Sequence, residues 1–218
     1  MARVLLVTAD DLGYAASRDQ GILEAFSRGI VRRASLLVGG ASAASAARLA
    51  RAAGLPLGLH VNLTEGSPVL PAHRVPSLLG PCGRQLRGTE GLWAAAAAGE
   101  LDALELRAEI EAQLDRFAEL AGGAPRFADG HNHAHCLPAI AAALAPALAA
   151  RGVRFVRIPD QQWLPRSLLE GPAAGKASFY AAVAAGAARC EPLFAAAGLA
   201  RAADAFVGLG LGAPEHAL

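Results

Sequence analysis

Short apolar runs alternate along this chain with longer stretches rich in alanine and leucine, and each run is about the length of a buried strand. Strands are expected at Arg3–Thr8, Ala34–Val38, Leu57–Leu63, Arg126–Asp129, Val153–Ile158 and Asp204–Leu209. Helices are expected between them at Ser17–Ser27, with Ser17 as N-cap and Gly29 as stop, at Ala43–Ala53 before Gly54, and at Leu101–Leu120, Leu137–Ala150 and Ala177–Ala197. This β-α-β-α order predicts an α/β fold with a largely parallel sheet. Six strands cannot close an eight-stranded barrel, so the pattern fits an incomplete barrel or an open sheet. Glu65–Gly91, which holds Pro68, Pro71, Pro76 and Pro81, is too long for an ordinary connection. Its place directly after His60 makes it a candidate lid.

Three of the predicted strands run straight into metal-binding side chains. Val4–Val7 leads to Asp10 and Asp11, Leu57–Leu59 leads to His60, and Phe127 leads to Asp129-Gly130-His131-Asn132-His133-Ala134-His135. Strands side by side in one parallel sheet converge at their carboxyl ends, where residues distant in sequence meet. Each motif also has a plain structural reading: a solvated turn for the Asp pair, a buried histidine with one satisfied hydrogen bond for His60, a surface loop for the His cluster. Taken together they point to Asp11, His60 and His131 as ligands of one divalent ion with an open position. Imidazole donors favour zinc, whereas magnesium prefers more oxygen. Asp10, whose side chain diverges from that of Asp11, is then free to act as general base.

Composition narrows the reading. The 218 residues are 54% apolar with no shift in character along the chain, which predicts a single domain over 1–218. A formal charge of +1, with arginines spread out rather than clustered, argues against a nucleic-acid partner and for a small substrate. Cys82, Cys136 and Cys190 are irregularly spaced and odd in number, as in a reduced intracellular protein. The first apolar run is too short for a signal peptide, and the longest uncharged stretch, Cys136–Ala150, is too short to span a bilayer. A cytoplasmic protein without a membrane partner is expected.

Thr8-Ala9-Asp10-Asp11-Leu12-Gly13-Tyr14, Ser35-Leu36-Leu37-Val38, Gly58-Leu59-His60-Val61-Asn62-Leu63-Thr64-Glu65-Gly66 and the Asp129–His135 cluster resemble, in order and spacing, the motifs of the YdjC/ChbG-like carbohydrate deacetylases. The resemblance implies a TIM-barrel-like (β/α) barrel and metal-dependent removal of acetyl groups from N-acetylated sugars such as chitooligosaccharides. It implies Asp10 as catalytic base and Asp11, His60 and His131 as ligands of one magnesium or zinc ion. The family's further strands, which carry a His-Pro-Gly motif, have no counterpart here.

The leading expectation is therefore amide hydrolysis by attack of a metal-bound water on a small carbohydrate substrate. His133 and His135 are candidates for the acid that protonates the leaving amine or for substrate binding, and Asn62 is a further substrate-binding candidate. The rival is a truncated, non-catalytic relative that binds metal, sugar or a protein partner. Its exposed sheet edge would favour pairing, including into a homo-oligomer. Cys136 as a nucleophile beside His135 is a weaker third reading, because adjacent residues rarely present the required geometry.

Overall fold

The computed structural model describes residues 4–161 and 177–208. Six strands form one all-parallel sheet in sequence order: β1 (Val7–Leu12), β2 (Val31–Leu36), β3 (Leu57–Val61), β4 (Ala128–Gly130), β5 (Phe155–Val156) and β6 (Ala200–Arg201). The helices are α1 (Ala16–Arg28), α2 (Ala43–Ala53), α3 (Gly88–Ala98), α4 (Ala103–Ala121), α5 (Pro138–Ala150) and α6 (Ala177–Ala196). The expected α/β architecture is present. Among the described residues β1 does not pair with β6, so the sheet stays open.

The apolar alternation explains the core. Leu12, Leu36, Leu59 and Val61 from the strands meet Leu106, Ile110, Leu114 and Phe117 of α4 and Ile140, Leu144 and Leu148 of α5, all almost fully buried. Gly54, in the left-handed region at φ 71°, ends α2 by donating its N–H to the last carbonyls. Asp102 begins α4 by accepting from the N–H groups of Leu104 and Glu105 at 2.8 and 3.0 Å.

Several boundaries differ from expectation. β1 starts at Val7, and Val4 and Leu5 stand 89% and 78% exposed; Arg3 lies outside the described residues. β2 begins at Val31, taking in Arg32 and Arg33, because Val31 and Arg33 pair with Val7 and Thr8 of β1, and the Arg33 guanidinium lies over the Phe127 ring at 4.1 Å. The last strand is Ala200–Arg201 rather than Asp204–Leu209. Buried Leu199 delivers the chain to β5, while Val207 is exposed and Leu209 lies outside the described residues. α1 is preceded by Ala15 with no side-chain cap, so Ser17 is inside the helix. α3 falls in a stretch for which the alternating pattern predicts no element, since its alanines give no contrast between faces.

The sheet is strongly curled. Four strand-to-strand steps of about 4.8 Å would put β1 and β5 roughly 19 Å apart if it were flat. Yet Asp10 on β1 accepts two hydrogen bonds, at 2.6 and 2.7 Å, from Arg157, which follows β5 directly. Curling brings the carboxyl ends of the strands together around one site.

Candidate metal centre

β1 reaches the site through a bulge. Ala9 pairs with Ala34 and Leu12 with Leu36, so β1 carries one more residue than β2 over this span, and Asp11 takes a left-handed φ of 63°. The extra residue lets adjacent carboxylates both serve the site, where a regular strand would send them to opposite faces.

Asp11 Oδ1 lies 3.3 Å from His60 Nε2 and 2.9 Å from His131 Nδ1. These donor atoms all fall within 4.8 Å of one another. Despite those short distances, Asp11 Oδ1 is buried without an aligned hydrogen bond. A buried carboxylate oxygen facing two imidazole nitrogens, with no proper hydrogen bond between them, fits a divalent cation better than it fits a self-contained ion pair. Asp11 Oδ2 accepts from Arg18 at 2.6 Å, and the Arg18 guanidinium lies over the Tyr14 ring at 4.4 Å. Burial works against the Asp11 charge, but the closeness of the His131 and His60 rings holds its carboxyl well below the usual range.

Asp129 orients His60. Its Oδ1 lies 2.6 Å from His60 Nδ1, and its Oδ2 lies 2.7 Å from the Arg157 guanidinium. This leaves His60 Nε2 pointing at Asp11, the carboxylate–imidazole arrangement that fixes metal-binding histidines. Burial alone would depress His60, but the charge of Asp129, the hydrogen bond that Asp129 accepts from Nδ1 and the nearby Asp11 carboxylate raise it to about 10. A second grouping, Asp10 with His60 and Asp129, is less suited to a cation because Asp10 is already held by Arg157.

Asp10 stands beside the three donors, 38% exposed, gripped by Arg157 and accepting from Ser35 Oγ at 3.1 Å. Burial opposes its charge, yet Arg157 keeps its carboxyl far below the ordinary range. The same two carboxylates raise the pKa of Arg157 against its burial.

The histidines of the cluster separate, because His131–Cys136 forms tight turns with Asn132 and His133 at left-handed φ of 51° and 56°. A Cβ on Gly130 would sit 2.7 Å from His135 Nδ1 and 2.9 Å from its backbone nitrogen, so this turn closes only on glycine. His135 is fully buried with Nε2 on the Arg157 carbonyl at 3.0 Å, and it is pushed down to about 4, mainly by burial. His133 is half-buried with an unpartnered Nδ1 and is pushed down to about 3, again by burial first. Asn62 is engaged in its own turn: Oδ1 accepts from the N–H groups of Thr64 and Glu65 at 3.0 and 3.1 Å, and Nδ2 donates to the Glu65 carbonyl at 2.8 Å. Cys136 is buried and its thiol is pushed up by that burial, the reverse of what a nucleophile needs.

The loop after His60 is docked on the helix layer. Gln113 clasps Asn62 through both its N–H (3.0 Å) and its carbonyl (2.7 Å). Glu109 accepts from the N–H groups of Val69 and Leu70 at 2.8 and 3.0 Å, and Glu105 from that of Ser77 at 2.7 Å. Arg157 and Glu65 as site residues escape the sequence reading, which names Asp129 among the metal-binding side chains but gives it no role. Asp129 alone carried a signal, its place in the His cluster.

The model of the YdjC-like protein family matches residues 4–215. This chain belongs to the YdjC-like family. It is 50% identical over 207 residues to the human protein named carbohydrate deacetylase, covering 94% of this chain and 62% of that one. It is 38% identical over 141 residues to the chitooligosaccharide deacetylase of Serratia marcescens, covering 64% of this chain and 53% of that one. The chain thus spans under two thirds of the length of these YdjC-like relatives. A crystal structure described as a cellobiose-phosphate cleavage protein from Enterococcus faecalis superimposes with a TM-score of 0.62 at 26% identity, covering 70% of this chain and 57% of that one.

Proposed function

We propose that this YdjC-like chain carries the hydrolytic centre of a metal-dependent carbohydrate deacetylase acting on N-acetylated sugars of the chitooligosaccharide kind. The observation that carries the proposal is the meeting of Asp11, His60 and His131 around a common point, with Asp10 beside them. The relatives named as deacetylases supply the substrate class.

Asp11 Oδ1, His60 Nε2 and His131 Nδ1 would hold one divalent ion, and one carboxylate with two imidazoles favours zinc over magnesium. When bound, such an ion polarises an acetyl carbonyl and lowers the pKa of water at its open position. Asp10 takes the proton from the attacking water, while Arg157 and Ser35 fix its direction. Burial favours the neutral forms of His133 and His135 in the metal-free chain. The proton accepted by Asp10 is then the one returned to the leaving amine. Half-buried His133 is better placed than sealed His135 to face a substrate. Three free cysteines, two of them buried, support a reducing compartment such as the cytoplasm.

The test is acetate release from N-acetylglucosamine oligomers. Release should stop with a chelator and return with zinc, and Asp10→Asn should lower kcat by about 10² to 10⁴ while the metal stays bound. Wild-type rates from Asp10→Asn would remove its role, and sugar or metal binding without turnover would replace this reading with that of a binding protein. Among the described residues no helix is long and apolar enough to cross a membrane.

A further inference from the structure

His60 and His131 are held differently. The ring nitrogen of His60 that faces away from Asp11 rests on a sealed carboxylate, Asp129, at 2.6 Å. The corresponding nitrogen of His131, Nε2, is buried without an aligned hydrogen-bond partner, and 3.4 Å from it stands Glu65 Oε2. A buried donor left unsatisfied costs about 1–3 kcal/mol, so a small rotation of the Glu65 carboxylate toward it is favoured.

The surroundings of Glu65 are built to keep it there. Its N–H and carbonyl are both held by the Asn62 side chain, at 3.1 and 2.8 Å. Its other carboxylate oxygen accepts from Asn132 Nδ2 at 3.1 Å, and that same amide also donates to Thr64 Oγ1 at 3.1 Å. Asn62 is in turn clasped by Gln113 from α4.

We propose that Glu65 is a positioning residue for His131: it accepts from Nε2–H, aims Nδ1 at Asp11, and is itself placed by the Gln113–Asn62 clasp. This rests on the metal reading above. Each ligand imidazole then has its own carboxylate, but the two differ in kind. Asp129 is wholly buried, whereas the Glu65 side chain is 46% exposed and belongs to the loop that follows β3. Metal affinity therefore depends on how that loop is docked.

The test is zinc affinity of the chelator-treated full chain, measured by calorimetric titration alongside its metal-free thermal midpoint. Glu65→Ala should weaken zinc binding by about 10-fold or more, in line with other partners of metal-bound histidines. Glu65→Gln, whose amide oxygen still accepts from Nε2–H, should lose less. Gln113→Leu, which touches neither His131 nor the ion, should weaken binding in the same direction. Glu65→Ala takes an acceptor away from buried His131 Nε2, so the metal-free midpoint should fall modestly, but zinc affinity of the folded chain should fall with it, whereas a merely structural role would lower the midpoint and leave that affinity unchanged. Tight wild-type binding with unchanged affinity in Glu65→Ala overturns this role alone. A wild-type chain that binds no zinc, like Asp11→Ala, overturns the metal reading and this role together.

Discussion

Arg157 joins two carboxylates that would otherwise repel each other, Asp10 at the mouth and Asp129 beneath it, and it is only 7% exposed. Removing one partner of such a buried set leaves an uncompensated charge, at a typical cost of about 3–5 kcal/mol. Arg157→Met should therefore lower stability by that order in urea unfolding, and it should impair turnover by freeing Asp10 to rotate. Nothing in the sequence singles out Arg157, one arginine among many and 147 positions from Asp10. The meeting of Asp11, His60 and His131 was legible for the opposite reason, since carboxylates and histidines at the ends of apolar runs are uncommon enough to declare themselves. Asn62 shows the limit of residue type as a guide. Beside a site it looks like a substrate contact, but its amide is engaged by the turn it closes.

Among the described elements, five of the six α-helices and the alternation of strands with helices were legible because their signals are local: periodicity, and Gly54 after α2. The strand ends were not. The bulge in β1 is set by pairing with β2, and β6 by where buried Leu199 meets β5, and both are contacts between distant segments. The loop after His60 is legible as something unusual but not as something docked. Its anchor is a stripe of Glu105, Glu109 and Gln113 on α4, spaced so that three polar side chains share one face. Such a stripe reads as a solvated surface until the loop is seen lying on it. Glu109 is fully buried and also accepts from Gln113 at 2.9 Å. Glu109→Leu would orphan the Val69 and Leu70 N–H groups, so urea unfolding should report a loss of about 1–3 kcal/mol.

For the whole molecule, the buried histidines make stability depend on pH in both directions. In the metal-free chain His135 and His133 stay neutral down to about 4 and about 3, whereas an unfolded histidine protonates near 6.5. As pH falls below about 6.5 the unfolded state takes up protons that the folded state refuses, so stability declines. His60, raised to about 10, is protonated in both states below about 6.5; its contribution is complete there and is lost as pH climbs toward 10. Urea midpoints of chelator-treated protein should therefore peak near pH 6.5 and be lower at about pH 5 and about pH 9. A midpoint rising steadily across that range would contradict the assignment of these three histidines. The curl of the sheet was legible only in part: the meeting of Asp11 with His60 and His131 was expected, whereas the contact from Asp10 to Arg157, which also skips strands, was not. Those contacts behave like tie rods beneath an arch. The groups proposed to perform the reaction also keep an open sheet from relaxing toward flatness, so whatever unloads the centre loosens the vault that shapes it.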